Sequence, residues 1–144
     1  MTVGDLIGSR RDVFSITEET TVHDAARYLR EKQVRSVGVR DSAGKLSGVV
    51  SQSDISDKVA AENKCPSWMR VSEIMSVDLV TVPLETPLDE CLLLMEKHNI
   101  YHLLVMDERT GFRGTISIQD LLRVVATDEK NRADMLEAFL FPQR

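Results

Sequence analysis

The segment Gly48-Val-Val-Ser-Gln-Ser-Asp54 occurs a second time in this chain, as Gly114-Thr-Ile-Ser-Ile-Gln-Asp120. Each copy leads from a glycine through a short apolar stretch to the pattern Ser-x-x-Asp. A hydroxyl just before a helix and a carboxylate three residues later form a capping box, which marks a helix start. We therefore expect two strand-to-helix junctions of the same construction.

The similarity of the two halves extends outward from these segments at a constant offset of 66 positions. A fixed period of this kind indicates an internal structural repeat. A shorter prelude also recurs, because residues 3–7 resemble residues 71–75. The identities in the first half are Asp12, Thr20, Asp41, Gly48, Ser51 and Asp54, and in the second half Asp78, Thr86, Asp107, Gly114, Ser117 and Asp120.

Within each repeat the hydrophobic pattern alternates between strand and helix periodicity and predicts the order β-α-β-β-α. Strands are expected at 13–16, 34–40 and 46–50, then at 79–82, 100–106 and 113–116, with closing helices at 53–62 and 119–125. One repeat alone leaves its sheet poorly covered. The fold class is therefore α/β (α+β), with two β-α-β-β-α repeats packed sheet to sheet about a pseudo-twofold axis.

The first helix of the second repeat carries the clearest start signal. Thr86 is expected to cap it and Pro87 to occupy its first turn, where a missing amide hydrogen costs nothing. Its apolar stripe is Leu88, Cys91, Leu92 and Met95. The predicted domains are repeat 1 at 1–62, a linker at 63–70, repeat 2 at 71–126 and a helical tail at 127–144. The tail's apolar residues, Met135, Leu136, Phe139 and Leu140, are expected to cover its own core.

Composition limits the function classes. The 144 residues carry 18 Lys and Arg against 23 Asp and Glu, a net charge of −5 that disfavours nucleic acid as a partner. Neither a signal peptide nor a membrane span is visible, so we expect a cytoplasmic protein without membrane contact. Cys65 and Cys91 lack motif spacing and are expected to be buried reduced thiols.

The two Ser-x-x-Asp strings, the element order and the sequence Thr-Val-His-Asp-Ala-Ala at residues 21–26 resemble the CBS domain family, named for cystathionine beta-synthase. The resemblance covers about residues 1–125 and is that of a stand-alone tandem pair, or Bateman module. Two features depart from the family pattern. The proline usual in the middle strand is replaced by Gly38 and Leu104, and an arginine common within Ser-x-x-Asp is replaced by Ser53 and Gln119.

The resemblance implies a regulatory module that binds an adenosine-containing ligand in the clefts between the repeats. AMP, ADP, ATP, NAD(H) and S-adenosylmethionine are the candidates, AMP or another adenosyl nucleotide is the expected ligand, and no cofactor is required. Asp54 and Asp120 would bind the ribose hydroxyls, and Ser51 and Ser117 the phosphate. Free amides at a helix start also favour an anion there.

By the same resemblance, the purine base would lie against strand residues of the opposite repeat. Phe14, Val34, Arg35 and Ser36 would face Asp120, while Val80, Ile100, Tyr101 and His102 would face Asp54. Arg35 and His102 are candidate phosphate ligands, whereas His23 and His98 are expected to be ordinary helix-surface residues. The family further implies a homodimer formed through helical faces, here those bearing Tyr28, Leu29, Leu92 and Met95.

Other interpretations stay open at this point. A capping box needs no ligand, so each Ser-x-x-Asp also has a purely structural explanation. The sequence contains no Gly-x-Ser-x-Gly elbow, Walker loop or metal-ligand spacing, which disfavours an enzyme. The alternative to a sensor is a CBS scaffold that acts through contacts with an unknown effector protein. Two intact Ser-x-x-Asp segments favour the sensor.

Overall fold

The computed structural model describes residues 1–8, 10, 13–127 and 129–141. Asp12, one of the repeat identities, lies outside the described residues. In chain order the helices and strands are α1 (Val3–Ile7), β1 (Ser15–Thr17), α2 (Val22–Lys32), β2 (Ser36–Arg40), β3 (Leu46–Ser51), α3 (Gln52–Ile55), β4 (Thr81–Val82), α4 (Leu88–His98), β5 (His102–Asp107), β6 (Gly111–Ser117), α5 (Ile118–Thr127) and α6 (Glu129–Leu140). A π-helical turn, Ser56–Ala60, continues α3, and short 3₁₀ turns lie at Pro66–Trp68 and Val71–Glu73.

The chain forms two compact units that do not follow its linear order. The first-repeat unit is Phe14–Leu79, and the second-repeat unit combines Met1–Val13 with Val80–Arg144. The first prelude therefore belongs to the second-repeat unit, where the amide of Val3 donates to the carbonyl of Thr86 at 2.8 Å. The second prelude belongs to the first-repeat unit, where the amide of Val71 donates to the carbonyl of Thr20 at 2.9 Å.

Each unit contains a three-stranded sheet of the same topology, which confirms the predicted α/β class and the order β-α-β-β-α. In one sheet β1 pairs parallel to β2 and β2 antiparallel to β3, and β4, β5 and β6 repeat this arrangement. The registers match as well, since Ser36 lies opposite Ser51 and His102 opposite Ser117. Each middle strand thus begins beside the serine that precedes the closing helix.

Each unit has its own apolar core, to which the sheet, the helices and one prelude contribute. In the first-repeat unit the core is Ile16, Val22, Ala25, Leu29, Val37, Val39, Val50, Val59, Val71 and Ile74. In the second-repeat unit it is Val3, Ile7, Val82, Leu88, Cys91, Met95, Leu103, Val105, Ile116, Leu121, Val124 and Met135. Burial of this apolar surface is the main stabilising contribution to each unit.

The predicted cap of α4 was wrong. Helix α4 begins at Leu88, with an extended Pro87 in the capping position and no side-chain cap. Thr86 is instead buried, and its backbone is engaged by the prelude through Val3. In the first repeat the threonine one position later does the capping, because Thr21 accepts the amide of Asp24 at 3.1 Å.

Of the predictions about which side chains are exposed, some are confirmed and others are wrong. Cys91 is buried as expected, but Cys65 is exposed, since it lies in the irregular segment before Pro66. Leu29 and Met95 face the cores and are not available to a dimer surface, whereas Tyr28 and Leu92 are half-buried. In the tail, Met135 packs in the core, while Leu136, Phe139 and Leu140 are exposed.

The two signature glycines are required for different reasons. A Cβ on Gly48 would lie 2.5 Å from Sδ of Met75 and 3.0 Å from the carbonyl oxygen of Ser76. Gly48 therefore lets the second prelude approach β3, where Val49 and Ser76 pair. Apart from its two chain neighbours, no described residue has an atom within 4 Å of a Cβ placed on Gly114, but Gly114 adopts φ +113°, a conformation that disfavours any side chain.

Replacing Gly48 with alanine is expected to destabilise the protein by about 1–3 kcal/mol, because the added methyl group overpacks the contact with Met75. Urea unfolding measures this loss. The same change in a Met75→Ala background should cost less, since part of the obstruction is gone. Ser42→Ala, at an exposed loop position, is the control. An equal cost in both backgrounds would contradict the proposed contact.

The two thiols are expected to differ in reactivity. Burial, followed by the nearby Glu90 and Asp89 carboxylates, raises the pKa of Cys91 to about 12, so almost no thiolate forms near neutral pH. An aromatic disulfide reagent should modify Cys65 in the native protein and both thiols after denaturation. In Cys65→Ser the native reaction should vanish. Rapid labelling of that variant would show that Cys91 is accessible.

Candidate functional site

At the junction of β3 and α3, Asp54 closes a complete capping box with Ser51. One carboxylate oxygen, Oδ2, accepts the amide of Ser51 at 2.9 Å and its hydroxyl at 3.1 Å, while that hydroxyl accepts the amide of Asp54 at 3.2 Å. The other oxygen, Oδ1, pairs with Nζ of Lys58 at 3.1 Å. The carboxyl side chain is only 16% exposed.

The junction of β6 and α5 repeats this arrangement with different cations. Oδ2 of Asp120 accepts the amide of Ser117 at 2.8 Å and its hydroxyl at 3.1 Å. Oδ1 pairs with Arg10 at 3.0 Å and with Arg123 at 3.5 Å. The Asp120 side chain is 14% exposed. Each junction therefore holds an oriented, mostly buried carboxylate next to a cation.

The capping boxes restrict what the helix starts can offer to an anion. The first amides are already used, because Gln52 donates to the carbonyl of Arg35 and Ile118 to that of Tyr101, each at 2.9 Å. The hydroxyl protons of the junction serines point to the aspartates. A phosphate at either junction would require the serine hydroxyl to turn away from its carboxylate.

Helix α1 shows that a capping box alone is not a site. Thr2 and Asp5 form the same box, and hydrogen bonds from the backbone and hydroxyl of Thr2 hold the pKa of Asp5 below its usual value. Among the described residues, however, no basic side chain forms an ion pair with Asp5. The cation at Oδ1 is what distinguishes Asp54 and Asp120 from this structural example.

These cations were missed by the sequence interpretation. Nζ of Lys58 also donates to the carbonyl of Ile74 at 2.8 Å, and Nη1 of Arg10 donates to the carbonyl of Thr115 at 2.7 Å. Lys58 lies four residues after Asp54, a spacing that places both on one helical face, so its role could have been found. Arg10 is 105 positions from Thr115, and no local pattern indicates their contact.

The predicted base-lining residues of the first repeat lie close to the Ser51 junction. Ser36 is buried opposite Ser51, Arg35 is exposed just before it, and Val34 packs against the core. Phe14 packs edge-on against Tyr28, and Lys32 lies 5.3 Å from the Phe14 ring centroid. Part of the Phe14 ring is therefore already covered by a cation from its own repeat.

The corresponding residues of the second repeat surround the Ser117 junction. His102 is half-buried opposite Ser117, and Tyr101 is 67% exposed. Val80 and Ile100 pack against the core. The structure thus brings together the candidate residues within each repeat. The predicted pairing of base-lining residues with the aspartate of the opposite repeat stays a prediction.

His23 and His98 are exposed on their helices, as predicted. Within the residues that the structure describes, no group of three or more His, Cys, Asp or Glu side chains could hold a metal ion. Over the same residues, no helix combines the length and apolar character that crossing a bilayer requires.

A family model of the CBS domain matches residues 3–61 and 71–127, which include both junctions. The chain belongs to the CBS domain family. Each match contains one prelude and one β-α-β-β-α repeat, so this is a tandem CBS pair, as the sequence predicted.

Solved CBS structures share this fold. A protein with CBS domains from Burkholderia ambifaria is 29% identical, with a TM-score of 0.82 over 90% of this chain and 96% of that one. A CBS domain pair solved with 5′-methylthioadenosine and S-adenosyl-L-methionine is 25% identical, with a TM-score of 0.76 over 88% and 96%. A Pyrobaculum aerophilum CBS protein complexed with AMP is 21% identical, with a TM-score of 0.81 over 96% and 100%.

Curated relatives are often longer than this chain. The chain spans 39% of a Methanocaldococcus jannaschii protein, to which it is 27% identical over 86% of its own length. It spans 26% of a homoserine O-acetyltransferase from Methanohalophilus mahii, to which it is 30% identical over 90% of its own length.

Removing either junction hydroxyl is expected to cost stability. Ser51→Ala and Ser117→Ala each lose a helix cap, and we expect each to lower the free energy of unfolding by about 1 kcal/mol. Chemical denaturation followed by circular dichroism measures this. Ser53→Ala, an exposed position in α3, is the matched control and should stay near the wild-type value. A wild-type value for both junction variants would refute the capping role.

Proposed function

We propose that this protein is a regulatory module that binds an adenosine-containing ligand through its two Ser-x-x-Asp junctions. One observation carries the proposal: each junction aspartate is mostly buried, locked in orientation through Oδ2 and paired with a cation through Oδ1. When that cation turns from Oδ1 to an anionic group of the ligand, the freed oxygen can accept the two hydroxyls of a ribose.

Similar proteins support the choice of ligand class. The 25%-identical CBS pair was solved with 5′-methylthioadenosine and S-adenosyl-L-methionine, both of which carry adenosine. AMP, the ligand of the Pyrobaculum aerophilum protein, belongs to the same class. The shared feature is the nucleoside, which is the part that Asp54 and Asp120 would recognise. AMP, ADP, ATP and NAD(H) are the nucleotides we propose first.

A regulatory rather than catalytic role fits the match to longer enzymes. The chain corresponds to about a quarter of homoserine O-acetyltransferase, at 26% of its length. Such a match is what a sensor module attached to an enzyme would give. A ligand acts as a regulator only if it binds two conformations with different affinity, and we propose that the nucleotide does so here.

A scaffold role is the second candidate, favoured by exposed apolar side chains near the end of the chain. Leu122 on α5, Leu136, Phe139 and Leu140 on α6, and Phe141 after it are between 46% and 73% exposed. Exposed apolar patches often mark protein contacts. A homodimer and an effector protein both stay predictions.

The ligand test uses asparagine rather than alanine at the junctions. Asparagine keeps one oxygen for the capping box but removes the charge, so binding is separated from folding. We expect isothermal titration calorimetry to detect an adenosyl ligand from the panel AMP, ADP, ATP, NAD(H), 5′-methylthioadenosine and S-adenosylmethionine. Asp54→Asn or Asp120→Asn should lower the ligand affinity of the site that contains it by about tenfold or more, as expected for the loss of one charged hydrogen bond.

Asp5→Asn is the matched control, because Asp5 closes the same capping box in α1 and should leave affinity unchanged. Thermal shift provides a second readout, since a ligand that binds the folded state raises the melting temperature. The sensor proposal fails if none of the six compounds binds, or if both junction variants bind like the wild type.

A further inference from the structure

The Asp120 junction differs from a simple ribose site because Oδ1, the carboxylate oxygen that the capping box does not use, is already occupied. Oδ1 is held by Arg10 at 3.0 Å, with Arg123 at 3.5 Å, while Oδ2 is used by Ser117. A carboxylate offers about four acceptor positions, and the two hydroxyls of a diol need two of them. Ser117 uses two and Arg10 a third, and Arg123 also pairs with Oδ1. A diol can bind Asp120 only if a cation moves away.

Arg10 is the cation whose release matters most. It forms the shorter ion pair, and its side chain is 36% exposed, against 76% for Arg123. The contact is strengthened by its second hydrogen bond, to the carbonyl of Thr115 at 2.7 Å. Displacing Arg10 into water would leave a guanidinium without its counter-ion and would cost the ligand part of its binding energy.

We propose that Arg10 is a specificity-determining residue that makes the Asp120 site selective for adenosine ligands with an anionic 5′ group. When the ribose hydroxyls displace the Arg10 guanidinium from Asp120, a phosphate provides that guanidinium with a new bidentate partner. A neutral nucleoside provides none. Binding of AMP therefore exchanges one ion pair for another, whereas binding of adenosine only breaks one.

The Asp54 junction provides the comparison within the same chain. Among the described residues, its carboxylate accepts two hydrogen bonds from Ser51 and pairs with Lys58, so one acceptor position stays open to a hydroxyl. Lys58 is also more exposed, at 48%, and an ammonium is more readily hydrated than a guanidinium. The Asp54 site should therefore tolerate neutral adenosyl ligands that the Asp120 site rejects.

The test rests on the proposed function and uses the full chain with Asp54→Asn, which leaves the Asp120 site as the one measured. Calorimetric titration with AMP and with adenosine should give an affinity for AMP at least about tenfold higher, as expected for one charged hydrogen-bonded pair. Adding Arg10→Gln should bring the two affinities to within about twofold, which is about 0.4 kcal/mol. Arg10→Lys, which keeps the charge but loses the bidentate geometry of the guanidinium, should give an intermediate ratio of AMP affinity to adenosine affinity.

Arg27→Gln in the same background is the control, because Arg27 is an exposed arginine that pairs with Glu31 on α2. Circular dichroism establishes that each variant is folded. The inference is overturned if Arg10→Gln leaves the ratio unchanged or lowers both affinities equally. It is also overturned if the Asp54→Asn protein binds neither compound, or prefers adenosine to AMP, while the wild type still binds an adenosyl ligand. If the wild type itself binds no adenosyl ligand, the proposed function is refuted instead.

Discussion

The structure depends on the carboxylate that lies three residues after each junction serine. In each unit one oxygen closes the start of a helix, and the other holds a cation that also binds a backbone carbonyl, that of Ile74 for Lys58 and that of Thr115 for Arg10. One mostly buried carboxylate thereby holds together the end of a strand, the start of a helix and a segment from elsewhere in the same chain. An unpaired carboxylate in the same place would be costly, so the cation stabilises the folded state as well as balancing the charge.

The local part of this arrangement could be predicted from the sequence, because a capping box involves only four consecutive residues. Ser51 and Asp54, and their repeats Ser117 and Asp120, were found from spacing and lie as expected. The cation Arg10 could not be found in this way, because it reaches Asp120 through the packing of the prelude. The wrong cap at Thr86 has the same origin, since its backbone is engaged by the amide of Val3.

Periodicity predicted which residues share a helical face, but not how far each face is covered. Leu29 and Met95 follow the expected stripes, and both are buried in their own cores rather than left for a partner. Likewise, the same glycine position of the two repeats requires glycine for a different reason in each repeat. Gly48 admits a neighbouring backbone, and Gly114 allows a positive φ. Sequence similarity identifies such positions, and only the surroundings show why they are needed.

The same cations connect the candidate sites to the preludes. Lys58 bridges Asp54 to the carbonyl of Ile74 in the second prelude, and Arg10 connects the chain after the first prelude to Asp120 and Thr115. A ligand that draws either cation toward its phosphate also weakens that cation's bond to the carbonyl. Occupancy of a junction and the packing of a prelude are then linked energetically, and such linkage must act equally in both directions. In the proposed sensor, the preludes are thus the segments that would transmit ligand binding.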